Sequence, residues 1–266
     1  MKENRPIVLI SAVPLEGSHF IRGLKPVMKR GQSSRSSCHS GFYSGRLFGC
    51  KLLYVASGMG KVNAAHTATL AINRHNPALI INFGIGGAYP SSGLTVGGVA
   101  IATKEIYADE GVWLEEGLQT VEAIGIPLVR AGRRRYFSEF PLLGRQTKKL
   151  ISRRLLNSWQ QYTGLSIKTG SFATVSACTG TKKRAEEIEK RFGVICENME
   201  GAAVAHICAL YEIPLIEVRG ISNIVEERNR ASWDTAAAAE HCQEVVVELL
   251  KEFAKSRPAQ AVRCGC

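Results

Sequence analysis

Short apolar runs alternate along the chain with stretches of helical periodicity. The apolar runs are rich in β-branched residues and are bounded by turn residues, which is typical of buried strands. They cover residues 7–11, 51–56, 78–83, 99–103, 170–175 and 215–219. Helical patterns cover residues 61–75, 182–191, 201–211 and 235–255. This alternation predicts an α/β fold, a single-domain three-layer sandwich with a mixed, largely parallel central sheet flanked by helices.

The chain of 266 residues is 45% apolar and 21% charged, which is typical of a globular protein with a sizeable core. We find no internal repeat or linker, and so expect one domain over residues 1–255 and a flexible tail over 256–266. The Gly/Ser/Arg-rich stretch 29–44 predicts a flexible surface loop. No apolar run approaches the ~20 residues of a spanning helix. No membrane partner and a cytoplasmic location are the default expectations.

Neither the cysteines nor the glycine turns have the spacing of a known cofactor or metal site. Eight cysteines are spread without a CxxC pair or a zinc-type spacing, so we expect buried reduced thiols rather than disulfides or a metal site. In the glycine turn 57–65, Val62 stands where a phosphate-binding P-loop requires Ser or Thr. The second turn, 84–89, lacks the GxGxxG spacing of a dinucleotide site.

The net charge of +11 comes largely from one segment. Between Arg130 and Arg154 there are nine basic residues and one acid, Glu139, a local charge of +8. No nucleic-acid-binding module or aromatic stacking motif accompanies it. We therefore favour a solvated helix face with a basic entry loop over a nucleic-acid partner.

Polar side chains follow several predicted strands. Glu16 comes just after the first strand, and Arg219 and Asn223 lie in a polar stretch after the last one. Glu200 precedes the helix 201–211, where helix capping alone would explain a carboxylate. Ligands of α/β sheets bind beyond the carboxyl ends of strands. We therefore expect the two glycine turns, at the ends of adjacent strands, to form the floor of a binding site.

In their order along the chain these segments resemble the nucleoside phosphorylase/nucleosidase family, α/β enzymes that cleave the N-glycosidic bond of purine nucleosides. The resemblance covers roughly residues 7–254. It rests on segments 12–16, 57–62, 82–88, 198–202 and 219–223, whose order is specific although each segment alone is weak. The futalosine hydrolase branch, which releases hypoxanthine from futalosine in an alternative menaquinone pathway, is the most similar. The resemblance implies a phosphorylase/hydrolase-like fold, a nucleoside substrate, no cofactor or metal and a homo-oligomer.

The resemblance also implies roles for individual residues. Glu16 matches the water-activating glutamate, with Arg219 near the same water. Glu200 matches the residue that binds the ribose hydroxyls, and Met199 would lie against the sugar. The remaining expected substrate contacts lie in three segments. They are Gly86 and Gly87 of the second glycine turn, Cys178 and Thr179 of the segment 176–179, and Phe137 of a lid over the 5′ substituent.

Two positions depart from the adenine-specific relatives, the methylthioadenosine/S-adenosylhomocysteine nucleosidases. Those enzymes carry an aspartate where this chain has Asn223, and an ionised carboxylate would repel the O6 atom of a 6-oxopurine. The amide offers both a donor and an acceptor, and so favours hypoxanthine over adenine. Cys178 replaces the aromatic ring that stacks on the base, so either the stack is lost or Tyr89 or Phe172 supplies it.

The basic and aromatic stretch 133–141 falls where the family places its lid, often donated by a neighbouring subunit. An arginine with aromatic neighbours could bind the carboxyphenyl group of futalosine, although an exposed charge run explains most of these arginines equally well.

Three other functions compete with futalosine hydrolysis. The first is hydrolysis of the methylthioadenosine/S-adenosylhomocysteine type. The second is phosphorolysis by a purine nucleoside phosphorylase, which Glu16 disfavours because a carboxylate repels phosphate. The third is a nucleic-acid-binding or regulatory protein, which only the charge supports.

Overall fold

The computed structural model describes residues 5–27, 41–142, 144–151 and 153–256. Residues 257–266, which cover nearly all of the predicted tail, and most of the predicted loop 29–44 lie outside the described residues. The strands are β1 (Ile7–Ser11), β2 (Lys25–Pro26), β3 (Tyr43–Leu47), β4 (Cys50–Ala56), β5 (Leu79–Ala88), β6 (Val99–Tyr107), β7 (Gly111–Leu114), β8 (Gly117–Thr120), β9 (Val129–Ala131), β10 (Arg134–Tyr136), β11 (Glu139–Pro141), β12 (Ile167–Thr174), β13 (Val194–Asn198) and β14 (Leu215–Ile224). The helices are α1 (Ser18–Gly23), α2 (Lys61–His75), α3 (Arg145–Leu150), α4 (Arg153–Thr163), α5 (Lys182–Phe192), α6 (Gly201–Leu210) and α7 (Thr235–Lys255).

A ten-stranded mixed sheet forms the centre of the fold, and it confirms the predicted α/β class. Nine of its strands follow the order β11-β6-β12-β13-β5-β1-β4-β3-β2, and β14 pairs with both β5 and β6. The pairs β1–β4, β1–β5, β12–β6, β12–β13 and β14–β5 are parallel. The pairs β13–β5, β14–β6, β11–β6, β2–β3 and β3–β4 are antiparallel.

Both faces of the sheet are buried, as the three-layer prediction requires. Along β1, Val8 and Ile10 belong to an apolar cluster that includes residues of α2 and α6. Ile7 and Leu9 point the other way, because side chains alternate along a strand, and join a cluster that includes residues of α7. The predicted bounds of β1, α2 and α7 agree with the structure. Asp234 begins α7 by accepting a hydrogen bond from the Ala237 N–H at 2.9 Å.

Two strands run further than the apolar pattern predicts. The expected turn at 84–89 is wrong, because β5 continues through the glycines to Ala88. Likewise β14 continues to Ile224, and Asn223 lies in register with Gly87. The glycines serve close packing: a Cβ added to Gly86 would stand 2.7 Å from Cys196 Sγ. The expectation that β4 and β5 are adjacent is also wrong, since β1 lies between them.

The basic segment differs partly from its predicted form. Its first part is the antiparallel hairpin β9–β10, in which Arg134 and Arg135 are exposed, and α3 and α4 follow. Among the described cysteines Cys196, Cys208 and Cys242 are buried and unbridged, Cys50 is also buried, and Cys178 is exposed. The cysteines at 38, 264 and 266 lie outside the described residues. No helix within the described ranges has the length and apolar character needed to cross a bilayer.

The packing of α7 against β14 yields a prediction for stability. A Cβ added to Gly220 would stand 1.9 Å from the backbone oxygen of Ala238 in α7. The Gly220→Ala substitution must therefore push helix and strand apart, and we expect it to lower the free energy of unfolding by about 1–3 kcal/mol in urea denaturation.

Gly23→Ala is the matched control, because an added Cβ at Gly23 meets no atom within 4 Å. We expect its effect to stay within about 0.5 kcal/mol. Equal stability of the two variants would contradict the close contact between β14 and α7.

Candidate active site

A cavity of about 290 Å³ opens where β1, β5, β13 and β14 end. Most of the residues predicted to bind or react with substrate line this one cavity. They are Glu16, Gly86, Gly87, Cys178, Thr179, Met199, Glu200 and Asn223. Arg219 lies behind the cavity wall, where it contacts Glu200. The structure therefore brings together nine residues drawn from five separate segments of the sequence.

Glu16 is buried on a single turn of 3-10 helix, Pro14–Gly17, that follows β1. Its Oε2 accepts hydrogen bonds from the backbone N–H groups of Ala12 and Val13, at 2.9 and 3.0 Å. Its Oε1 accepts one from the Ile85 N–H at 2.8 Å. Burial raises the pKa of Glu16 above its ordinary value, while Arg219 and the backbone donors work in the opposite direction. The result is an oriented carboxylate that takes up a proton more readily than an exposed one.

Gly84 makes room for this carboxylate. A Cβ at Gly84 would stand 2.4 Å from Glu16 Oε1, so any side chain there would displace the acid. The glycine in the middle of β5 is thus required by the functional group opposite it.

Glu200 directly precedes α6, but its side chain makes no capping hydrogen bond to the helix. Asn198 caps the helix instead, because its Oδ1 accepts hydrogen bonds from the N–H groups of Glu200 and Gly201, at 2.9 and 2.6 Å. The Glu200 carboxylate instead accepts from the Gly60 N–H at 2.9 Å and lies 3.4 Å from Arg219 Nη1. The capping explanation for Glu200 is therefore wrong. The glycine turn does present an N–H to an anion, and that anion is Glu200.

Arg219 is fully buried, and its guanidinium contacts two carboxylates. Its Nε and Nη2 lie 3.0 and 2.9 Å from Glu217 Oε1, and its Nη1 lies 3.4 Å from Glu200 Oε2. The surrounding acids raise the pKa of Arg219 even though burial opposes the charge. Arg219 is therefore a permanent cation at the back of the cavity.

Glu105 lies beside Glu217, and both are completely buried. Both acids converge on Gly201, where an added Cβ would stand 2.2 Å from Glu105 Oε1 and 2.3 Å from Glu217 Oε1. Burial and the neighbouring Glu217 raise the pKa of Glu105. Glu217 Oε2 has no hydrogen-bond partner among the described residues, and the raised pKa of Glu105 favours the protonated form that can donate to a neighbouring carboxylate. Glu217 in turn contacts the Arg219 guanidinium.

Glu105, Glu217 and Asn198 are parts of this arrangement that the sequence analysis did not select. The signal was present in the run Leu215-Ile216-Glu217-Val218-Arg219, where two charges stand inside a strand of apolar residues. Charged side chains are almost never fully buried unless they are paired. Nothing in the sequence, however, indicated that β6 would bring Glu105 to the same point.

Asn223 and Thr179 both line the cavity. Asn223 Oδ1 accepts a hydrogen bond from the Ser222 hydroxyl at 2.8 Å, and its Nδ2 donates to the Ile224 carbonyl at 3.1 Å. Thr179 is bound to Glu197, which accepts from its N–H at 2.9 Å and from its hydroxyl at 2.5 Å. The Cys178 and Met199 sulfurs lie 3.3 Å apart on the cavity wall.

Phe137 lies outside this cavity. It lines a separate surface depression together with Arg134 and Arg135. Neither of the aromatic rings considered as replacements for the base stack, Tyr89 and Phe172, is among the cavity-lining residues either, and both are fully buried. The ring that does line the cavity is Trp233, which the sequence analysis did not select.

The two carboxylates in the cavity determine which chemistry it can support. Two carboxylates, Glu16 and Glu200, face one enclosed space, and each is held by backbone N–H donors that keep its orientation. Such a pair can activate water and bind hydroxyl groups beside a developing positive charge. Within the described ranges, no three His, Cys, Asp or Glu side chains are grouped so that they could hold a metal ion.

Comparison with known proteins agrees with this chemistry. The chain is 33% identical to the futalosine hydrolase of Thermus thermophilus over 79% of this chain and 86% of that protein. It is 29% identical to the 5′-methylthioadenosine/S-adenosylhomocysteine nucleosidase of Bacillus subtilis over 81% and 87% of the two chains. Both relatives are nucleosidases. The crystal structure of the corresponding Neisseria meningitidis nucleosidase with methylthio-immucillin-A superposes with a TM-score of 0.74 at 24% identity, covering 93% and 99% of the chains.

The family profile described as the phosphorylase superfamily matches residues 6–255, nearly the whole of the described chain. The chain therefore belongs to the phosphorylase superfamily and is an enzyme of its nucleosidase type, which hydrolyses N-glycosidic bonds.

Proposed function

We propose that this enzyme hydrolyses the N-glycosidic bond of futalosine and releases hypoxanthine and dehypoxanthine futalosine. The observation that carries the proposal is Asn223, a neutral amide in the wall of a cavity that also holds Glu16 and Glu200. The similarity to the futalosine hydrolase of Thermus thermophilus supports it.

The first step is activation of water by Glu16. Cleavage of an N-glycosidic bond passes through a sugar with oxocarbenium character, which a water molecule attacks. Glu16 accepts the proton of that water, and its three backbone hydrogen bonds keep the carboxylate oriented. The nearby Arg219 charge lowers the pKa of Glu16 and so opposes the effect of its burial.

Glu200 binds the ribose diol in this scheme. Hydroxyl groups donate to a carboxylate, and the negative charge of Glu200 stabilises the positive charge that develops on the sugar. The neighbouring Met199 packs against the apolar face of the ring. Gly86 and Gly87 line the cavity without side chains, and so leave space for the substrate.

Asn223 selects the leaving base. An amide donates through NH₂ and accepts through C=O, so it can bind both the O6 and the N7–H of the departing hypoxanthine. It does not titrate, and hydrogen bonding rather than proton donation therefore stabilises the leaving group. Thr179 and Cys178 line the same cavity.

We also propose a homo-oligomer in which a neighbouring copy completes the 5′ end of the site. Phe137 and the arginines of the hairpin lie outside the cavity of their own chain. In this proposal they contact the 5′ carboxyphenyl group that is bound in the cavity of the neighbouring copy. Removal of the charges at 133–135 would then reduce hydrolysis of futalosine but not of a nucleoside that lacks this group.

Product analysis tests the proposed substrate. The purified protein is incubated separately with futalosine, aminofutalosine and methylthioadenosine, with and without phosphate, and the released bases are identified by chromatography. We expect hypoxanthine from futalosine at a rate that phosphate does not change. Adenine from methylthioadenosine without hypoxanthine from futalosine would instead assign the protein to the other nucleosidase class.

The pH dependence of hydrolysis tests the role of Glu16. Burial raises the pKa of Glu16 above its ordinary 4.5, and the protonated acid cannot take a proton from water. We therefore expect kcat/KM to fall as the pH drops, with the midpoint of this acid limb above pH 4.5.

Glu16→Gln removes the base, and we expect kcat to fall by about 10²- to 10⁴-fold. Glu115→Gln, at an exposed position outside the cavity, is the matched control and should leave both kcat and the acid limb unchanged. An acid limb that persists unchanged in Glu16→Gln would assign the base to another group.

Asn223→Asp tests the choice of base. An ionised aspartate only accepts hydrogen bonds, so it repels O6 and favours the amino group of adenine. We expect the ratio of kcat/KM for futalosine to that for aminofutalosine to fall by about 10-fold or more. A ratio that stays constant would show that Asn223 does not contact the purine edge.

A further inference from the structure

We infer that Arg228, stacked on Trp233, forms a subsite that binds an oxygen acceptor of the ligand. Both side chains line the cavity described above. The inference rests on the proposed function, because it names the ligand group that the same cavity recognises. Two oxygen acceptors of a futalosine-like nucleoside fit this chemistry, the O6 atom of the 6-oxopurine and the carboxylate of the 5′ substituent.

The charges that line the cavity point to this role. Three carboxylates line it, those of Glu16, Glu197 and Glu200, and Arg228 is the one Lys or Arg among the lining residues. The carboxylates already accept hydrogen bonds from the protein: Glu197, for example, accepts from Thr179 and from the Tyr89 hydroxyl at 2.9 Å. Arg228 is therefore the charged group that remains to be matched by a ligand.

Arg228 is held in place without being neutralised. Its guanidinium lies 5.0 Å from the centre of the Trp233 ring, a cation–π contact. Its backbone N–H donates to the Gly180 carbonyl at 3.3 Å. Among the residues that the structure describes it forms no ion pair. A guanidinium has five N–H donors, so most of its hydrogen-bonding capacity is unused.

The position of the pair connects it with Asn223. Trp233 is followed by Asp234, whose N–H donates to the Ser222 carbonyl at 2.9 Å, so the segment is tied to the strand beside Asn223. Arg228 can only donate hydrogen bonds. An amino group of the ligand at the same point would therefore face another donor and form no hydrogen bond with it. The planar guanidinium on an indole ring also suits a carboxylate carried by an aromatic ring. Both candidate groups are oxygen acceptors attached to a ring.

Four nucleosides distinguish the two sources of the oxygen. Inosine carries only the 6-oxo group, aminofutalosine only the 5′ carboxylate, futalosine both, and adenosine neither. Affinity is measured as KM for nucleosides that are hydrolysed and as Ki against futalosine hydrolysis for those that are not. The variant is Arg228→Gln, and Arg230→Gln is the matched control, since Arg230 is exposed on the same segment and does not line the cavity.

Loss of a charge-assisted hydrogen bond weakens binding by about 10- to 100-fold. If Arg228 binds O6, Arg228→Gln weakens the binding of inosine and futalosine to this extent and spares aminofutalosine and adenosine. If it binds the carboxylate, futalosine and aminofutalosine lose affinity and the other two are spared. Arg228→Lys keeps the charge without the planar fork and should lose less than Arg228→Gln in either case.

An equal loss for all four nucleosides, adenosine included, would overturn the inference, and so would no loss for any of them. The melting temperature of each variant is compared with that of the unsubstituted protein, and we expect no change because Arg228 is exposed. The proposed function is tested separately, by the release of hypoxanthine from futalosine by the unsubstituted protein. Failure of the proposed function and failure of this inference are thus distinguishable.

Discussion

The ion pairs of Arg219 are the interaction on which the site depends. One buried guanidinium lies among the carboxyl groups of Glu16, Glu105, Glu200 and Glu217, which come from four different elements. Several unpaired carboxylates could not remain ionised in such an interior, because each would carry a large desolvation cost. The guanidinium neutralises part of this charge, and the raised pKa of Glu105 favours the neutral form of that acid. The side chains of Glu16 and Glu200 face the cavity.

Backbone donors fix the orientation of these two acids. Glu16 is bound by three N–H groups and Glu200 by one, and all of them belong to the short turns that leave the sheet or to β5. The capping of α6 is performed by Asn198 instead. Because the helix end is satisfied by a neighbouring amide, the carboxylate beside it is available for a ligand. Such fixed groups need little reorganisation when charge develops on a substrate.

Glycines within β5 and β14 allow these strands to continue into the region that forms the cavity wall. The apolar pattern ended β5 and β14 at the first glycine, since glycine is a poor strand former and a good turn former. In the structure the ladder continues, and the missing side chain at Gly84 leaves room for Glu16. Gly201, at the start of α6, leaves room for Glu105 and Glu217 in the same way. Local propensity cannot anticipate this, because the reason for each glycine is a group far away in sequence.

What the sequence by itself determined is the class of fold and a set of residues most of which line one cavity. Periodicity of apolar residues sets β1, α2 and α7, because burial of one face or both faces of an element follows directly from residue order. The ordered motifs identified Glu16, Glu200, Asn223 and their neighbours, and these line one cavity. The tertiary structure alone decided that Glu105 and Glu217 meet behind Arg219, that Phe137 lies away from the cavity of its own chain, and that Arg228 and Trp233 line it. These contacts join residues distant in sequence, and their energies depend on burial and distance, which no local pattern encodes.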